Sequence, residues 1–355
     1  MRVLVARLDS LGDVLLCGPA VRAVAARHHV TMLCSRLGAP AARLLPGVDD
    51  VLVWNSPWIM PNTPINPADV LSLQETVRAG AFDEAVILTS FHQSPLPLAL
   101  VLRLAGVPRV IGASVDYAGA LLDVRLRPGE DFDEDQPEPE RALLIAKAAG
   151  HVLPPQDEGL LAVTAPPDTS SLTGPGPYLV VHPGASAPAR AWPASHHAEL
   201  VRILAGQGHR VIVTGGNREK TLTATVAGTT GVDLGGRLDL PELAGVLARA
   251  RVLVVGNTGP AHLAAAVGTP VVSLFSPVVP AARWAPYGVP HVVLGDQEAP
   301  CRGSRARTCP VPGHPCLAGV SPSSVADAVH QLLARPAAAS AAHADHRLAT
   351  EAGAS

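Results

Sequence analysis

The stretch Ala250-Arg251-Val252-Leu253-Val254-Val255-Gly256-Asn257-Thr258-Gly259-Pro260-Ala261-His262-Leu263, continuing through Ala264-Ala265-Ala266 to Gly268-Thr269-Pro270, decides the fold. Ala250 to Val255 is short, apolar and rich in β-branched residues, the pattern of a strand buried on both faces of a parallel sheet. Pro260 to Val267 reads as a helix with proline in its first turn, where the missing N–H costs nothing. A second apolar run, Val271 to Phe275, follows at once. The order strand, tight polar turn, helix and strand belongs to α/β architecture. Helix N-termini carry unpaired N–H groups and a positive dipole end, so this turn, with Thr258, Gly259 and His262, is a ready anion site. Open α/β sheets bind ligands at the carboxyl ends of their strands, where this turn falls.

The chain has 355 residues, of which 48% are hydrophobic, enough for two domains with cores of their own. Its net charge of -3 argues against a general nucleic-acid binder, which needs a basic face. The amino end is not a secretory signal, because Arg7 and Asp9 interrupt its short apolar run. No window reaches the length of a membrane span. Cys17 and Cys34 lie far in sequence from Cys301, Cys309 and Cys316, and without a signal peptide the expectation is a reduced, cytoplasmic protein.

Strands and helices alternate along the whole chain. Arg2–Ala6, Val30–Cys34, Val51–Trp54, Ala85–Thr89 and Arg109–Gly112 read as strands, separated by helices at Val14–Arg27, Ala39–Leu45, Asp69–Ala79 and Leu96–Leu104. Asn55 to Pro67 is proline-rich and reads as an irregular insertion. Residues 164–177, rich in proline, glycine, serine and threonine, read as a linker. The pattern restarts at Tyr178–His182 and runs through strand Arg210–Thr214 and helices Trp192–Gln207, Thr221–Ala227 and Leu240–Ala250. The expected organisation is an N-terminal Rossmann-like domain over residues 1–163, the linker, a C-terminal Rossmann-like domain over 178–335 and a disordered tail over 336–355. Such domains would face each other across a cleft.

Four stretches carry chemistry. Leu11-Gly12-Asp13 follows the first strand at the start of a helix, so the Asp13 carboxylate is either a general base or a helix cap. His182-Pro183-Gly184-Ala185-Ser186 runs on to Arg190-Ala191-Trp192-Pro193; its small residues allow close approach of backbone to ligand, and Arg190 is either a phosphate partner or an ordinary surface arginine. Thr214-Gly215-Gly216-Asn217-Arg218-Glu219 is a glycine turn without the dinucleotide fingerprint, and Glu219 is either a ribose ligand or a solvated helix-start acid. The fourth is the opening stretch, where His262 is a structural imidazole or a phosphate contact. Two further patterns read as decoys. Asp131-Phe132-Asp133 sits in a proline-punctuated acidic loop and reads as a solvated charge run rather than a metal pair, and Cys301, Cys309, His314 and Cys316 lack the C-x-x-C spacing of a zinc site.

In this order these pieces resemble glycosyltransferase family 9, the heptosyltransferases, of the α/β GT-B fold. The marks are Arg2-Val3-Leu4-Val5 leading into Leu11-Gly12-Asp13, then His182-Pro183-Gly184-Ala185-Ser186, Arg190-x-Trp192-Pro193, and Thr258-Gly259-Pro260-x-His262-Leu263-Ala264-Ala265-Ala266-x-Gly268-x-Pro270. Cys309-Pro310 and His314-Pro315-Cys316-Leu317 match the family's late cysteine-bearing segment, so that the resemblance spans Met1 to about Leu333. It implies inverting, metal-independent transfer, without cofactor, of a sugar from a nucleotide-diphosphate donor, ADP-heptose in the best-known members. The acceptor it implies is a saccharide or glycolipid, such as the inner core of lipopolysaccharide, with at most peripheral membrane contact. By the same resemblance Asp13 is the catalytic base. Ser186, Arg190, Thr258, Gly259 and His262 bind the donor diphosphate, and Gly216, Glu219 and Asn257 bind the nucleotide. Two residues depart from the family pattern: Arg190 stands where lysine is common, and Asn257 where many members have aspartate. The competing readings are a transferase with another sugar donor and a non-lipopolysaccharide acceptor, and a non-catalytic sugar-nucleotide-binding protein.

Overall fold

A computed structural model describes residues 1–59 and 64–335. The expected disordered tail, 336–355, lies outside the described residues, as do residues 60–63 of the proline-rich insertion, whose other residues form turns and irregular chain up to Asn66, with Pro67 opening the helix Pro67–Gly80. The chain divides into two compact units. The first comprises Met1–Ala165 together with Ala282–Tyr287, and the second comprises Pro166–Ala281 and the chain from Gly288.

The first unit is built on strands β1 (Arg2–Arg7), β2 (His29–Cys34), β3 (Asp50–Val53), β4 (Glu84–Ile87), β5 (Arg109–Ala113) and β6 (Val124–Leu126), in the order β3-β2-β1-β4-β5-β6. Every pairing is parallel, with Val5 set between Met32 and Val86. The strand order reverses between β1 and β4, and at such a switch point the loops leaving the two strands part and open a crevice. The expected helix Val14–Arg27 is two helices, Leu11–Leu16 and Gly18–Ala25, joined at Cys17. Pro19 explains the break: it has no N–H to continue the ladder, and its ring crowds the preceding turn.

The second unit repeats the plan with β7 (Leu179–His182), β8 (Val211–Val213), β9 (Val232–Asp233), β10 (Leu253–Gly256), β11 (Val271–Leu274) and β12 (His291–Leu294), in the order β12-β11-β10-β7-β8-β9. Its pairings are parallel too, and its switch point lies between β7 and β10. β10 is buried along its whole length, as its apolar run requires. The stretch read as a linker is partly docked: Ser170–Thr173 forms a helical turn, Thr169 and Thr173 are buried, and the Pro167 carbonyl lies 2.5 Å from where a Cβ on Gly245 would sit. The sequence reading assigned nothing to β6, β9, β12 or the helix Pro322–Leu333.

The short helix Ala281–Trp284 carries Arg283, which belongs to the first unit. Its guanidinium pairs with Glu134 at 3.1 Å and Asp135 at 3.0 Å and stacks 4.1 Å above the Phe91 ring. Asp131 and Asp133 of the same acidic loop are exposed, with Asp131 paired to Arg127. The loop is therefore anchored on Glu134 and Asp135 rather than solvated throughout. Removing one partner from a largely buried ion pair leaves the other charge uncompensated. Arg283→Ala is expected to lower stability by about 2 kcal/mol, read as a lower urea midpoint in tryptophan fluorescence, to which Trp284 beside Phe91 contributes. Arg283→Lys should recover only part of this, because an ammonium cannot stack as a planar fork does; an unchanged midpoint in Arg283→Ala would show the anchor to be idle.

Candidate functional site

The predicted residues fall into two polar clusters, one at the switch point of each sheet. In the first unit Asp13 stands in the first turn of Leu11–Leu16, directly after β1. Its Oδ2 accepts hydrogen bonds from the Ser10 hydroxyl at 2.6 Å and the Ser10 N–H at 3.3 Å. This is the helix-capping role. The other oxygen, Oδ1, accepts from Arg7 Nη2 at 3.2 Å, and the side chain keeps about a quarter of its surface exposed. Capping and exposure thus coexist in one carboxylate.

Arg7 was not foreseen as a site residue. It lies at the end of β1 with its side chain 2% exposed, and it meets Asp9 at 2.6 Å and Glu138 at 3.1 Å as well as Asp13. Burial opposes its charge, but Asp9, Glu138 and Asp13 outweigh burial and hold the guanidinium firmly protonated. Burial pushes the Asp9 carboxyl up to about 6 against the pull of Arg7, with Asp13 adding to the rise. Burial raises Glu138 in the same way. Gln93, from the loop after β4, donates its amide N–H to Asp9 Oδ1. A hollow beside these residues is lined by Leu8, Trp58, Thr89 and Gln93. The Thr89 and Ser90 hydroxyl oxygens are buried without a hydrogen-bond partner among the described residues.

In the second unit β7 ends in His182, β8 runs into the glycine turn, and β10 ends in Gly256. His182 Nδ1 lies 3.0 Å from the Thr214 hydroxyl, and its Nε2 lies 4.0 Å from Glu219. Burial lowers the His182 pKa, so the ring is neutral at pH 7. Glu219 Oε2 accepts a 2.6 Å hydrogen bond from the Gly216 N–H, a turn-closing role. A Cβ on Gly184 would stand 2.0 Å from Glu219 Oε1, so only glycine lets this carboxylate lie against the loop after β7. Gly216, Glu219 and Gly184 are thereby brought together.

Arg190 ends a single turn, Pro188–Arg190, and is half-buried. Its carbonyl lies 3.0 Å from where a Cβ on Gly256 would be, which seats the Arg190 backbone on the end of β10. Thr258 is the extended N-cap of the helix Gly259–Ala266, and its side chain makes no capping bond. Thr258 and Gly259 are half-exposed and His262 is buried. Asn257 is 4% exposed, and both polar atoms of its amide lack a partner among the described residues. Ser186 is exposed on the loop before Arg190, its carbonyl accepting from Arg307 at 3.3 Å.

Cys301 and Cys316 are buried in the core of the second unit, and His314 Nε2 lies 3.1 Å from the Ala189 carbonyl. Among the described residues no helix is long and apolar enough to cross a membrane.

The sequence pattern of glycosyltransferase family 9 (heptosyltransferase) matches residues 70–314. Lipopolysaccharide heptosyltransferase 2 of Escherichia coli K12 is 24% identical over 306 residues, which cover 79% of this chain and 84% of that protein. Among solved structures, a family 9 glycosyltransferase from Veillonella parvula is similar with a TM-score of 0.74 at 17% identity, covering 94% of this chain and 97% of that one. The E. coli ADP-heptose lipopolysaccharide heptosyltransferase II gives a TM-score of 0.71 at 21% identity, covering 94% and 98%. The fold class expected from the sequence, α/β of the GT-B type with two Rossmann-like units, is borne out. With the family pattern matching more than half its length, the chain belongs to glycosyltransferase family 9 and is a glycosyltransferase enzyme.

Proposed function

We propose that the protein transfers a heptose from a nucleotide diphosphate, ADP-heptose by likeness to its relatives, to a saccharide or glycolipid hydroxyl of the lipopolysaccharide inner core, with inversion at the anomeric carbon and without a metal. The observation that carries this reading is the β10 turn. A helix N-terminus with an unspent N-cap hydroxyl lies at a sheet switch point, with the Arg190 backbone seated on Gly256 beside it. The donor's diphosphate is already negatively charged and gains a further charge as it departs, and helix N–H groups with an arginine answer that charge without a metal ion. Thr258, Gly259, His262, Ser186 and Arg190 are assigned to the diphosphate, and Gly216, Glu219 and Asn257 to the nucleoside side of the donor. The half-exposed N-cap and the unpartnered Asn257 amide support this assignment.

Asp13 is assigned as the general base. It takes the proton of the acceptor hydroxyl, the freed oxygen pair bonds to the anomeric carbon, and the bond from that carbon to the phosphate oxygen breaks, its electrons leaving on the diphosphate. The Ser10 hydroxyl that bonds Asp13 Oδ2 marks where an acceptor hydroxyl can compete for the carboxylate. The enzyme works in the cytoplasm, with at most peripheral membrane contact at a glycolipid acceptor.

Two variants test the assignments, with ADP release from ADP-heptose measured against an inner-core oligosaccharide acceptor. Asp13→Asn is expected to lower kcat by about 1,000-fold, within the span of general-base catalysis, while ADP binds with unchanged affinity in calorimetry. Transfer at the parent rate would remove Asp13 as base. Arg190→Ala is expected to weaken ADP binding about tenfold or more, the worth of a charge-assisted contact, and unchanged ADP affinity would take Arg190 out of the site. Thermal shift across a panel of sugar nucleotides, with ADP as the baseline, ranks the donors, since the one bound most tightly at equal concentration stabilises the fold most.

A further inference from the structure

Three carboxylates converge on one buried guanidinium. Arg7 Nε meets Asp9, Nη2 meets Asp13 and Nη1 meets Glu138, so all three nitrogens are engaged. The partners come from three elements: Asp9 from the loop after β1, Asp13 from the helix Leu11–Leu16 and Glu138 from the first turn of the helix Glu138–Ala148. The charged or titratable groups near this cluster include Arg141, which acts on Glu138, and the Cys17 thiol, which burial pushes up to about 12 and keeps neutral. Gln93 holds Asp9 from the loop after β4. Arg141 is otherwise committed to the Thr89 carbonyl and Glu134.

We propose that Arg7 is a positioning residue for the transfer reaction: its buried guanidinium, divided among Asp9, Asp13 and Glu138, fixes the Asp13 carboxylate and sets how readily it ionises. The proposal rests on the reading of Asp13 as base. Its physical content is competition. Arg7 pairs with Asp13, and Glu138 and Asp9 draw on the same cation. Weakening that cation makes Asp13 harder to ionise, and removing a competitor makes it easier. A plain structural role for Arg7 predicts lost stability but no movement of the ionisation in opposite directions.

The test follows the pH dependence of kcat for ADP release from ADP-heptose with the inner-core oligosaccharide, at saturating donor, in Arg7→Lys, Arg7→Met and Glu138→Gln. Arg7→Met is expected to lose about 100-fold in kcat with the donor KM within about twofold, because the donor contacts are assigned to the other unit. Arg7→Lys should recover about tenfold of that loss, and its acid limb should move up by about one pH unit, since an ammonium cannot face three carboxylates as a planar fork does. Glu138→Gln should move the acid limb down. If Arg7→Met does not fold, the opposite shifts in the two milder variants decide the matter. Acid limbs that stay in place in both, or that move in the same direction, overturn the proposal. Asp13→Asn is run beside them: a dead Asp13→Asn with unmoved limbs brings down the Arg7 proposal alone, whereas an active Asp13→Asn brings down the base reading and this proposal with it.

Discussion

A guanidinium with 2% of its side chain exposed is held in the protein interior only by the charges around it, and in the first unit that arginine is Arg7. Desolvating a lone cation costs far more than a domain can spare. The cost is offset here by Asp9, Asp13 and Glu138, each supplied by a different part of the chain. The arrangement ties the end of β1 to the helix that starts at Leu11 and to the one that starts at Glu138. It also explains the local geometry at Asp13. A carboxylate at the third position of a helix ordinarily swings between capping and solvent, but here its second oxygen is claimed by Arg7. The capping bond and the ion pair together leave the group one orientation.

The second unit meets the opposite problem, how to gather groups around an anion with little backbone in the way. It solves this by leaving out side chains. Gly184 removes a Cβ that would strike Glu219, Gly215 one that would stand 2.6 Å from Thr223, and Gly256 one that would crowd the Arg190 carbonyl. The loops after β7, β8 and β10 are thereby packed at separations that any other residue would widen. Small residues in these motifs are packing requirements first, and their visibility in the sequence follows from that.

This difference accounts for what could be read from the chain alone. Parallel strands buried on both faces are continuous apolar runs, so β1, β2, β10 and β11 were legible to within a few residues, and the glycine turns marked the second cluster. The short outer strands β6 and β9 carry too little apolar sequence to register. The helix Pro322–Leu333 did carry signals: Ser321 as N-cap accepting from the Ser324 N–H, proline next, then Val325, Val329 and Leu332 on one buried face. The first cluster left no local trace. Arg7 and Asp9 look like interruptions of an apolar run, and Glu138 like part of a solvated acidic loop. They are partners across 131 positions of sequence, and no spacing rule links residues that far apart. Asp13, whose partner Ser10 is three residues away, was legible as a cap for the same reason that its tie to Arg7 was not.

Asn257 shows how the two clusters differ in what they tolerate. It is more buried than Asp9 or Asp13 beside Arg7, yet its amide has no partner among the described residues. An aspartate in that place would be a buried charge without a hydrogen-bond partner among the described residues. It would have to wait for a ligand or shift its ionisation, and it would stand beside groups assigned to an anion. An unpaired amide costs about 1–3 kcal/mol, well below the cost of a buried unpaired charge. The exchange therefore relieves the empty site and changes what it can read, from hydroxyl donors alone to a hydroxyl that both gives and accepts a hydrogen bond. The first unit can bury carboxylates because it has a buried arginine to spread among them. At Asn257 no described residue bonds the side chain, and a neutral amide fits that position.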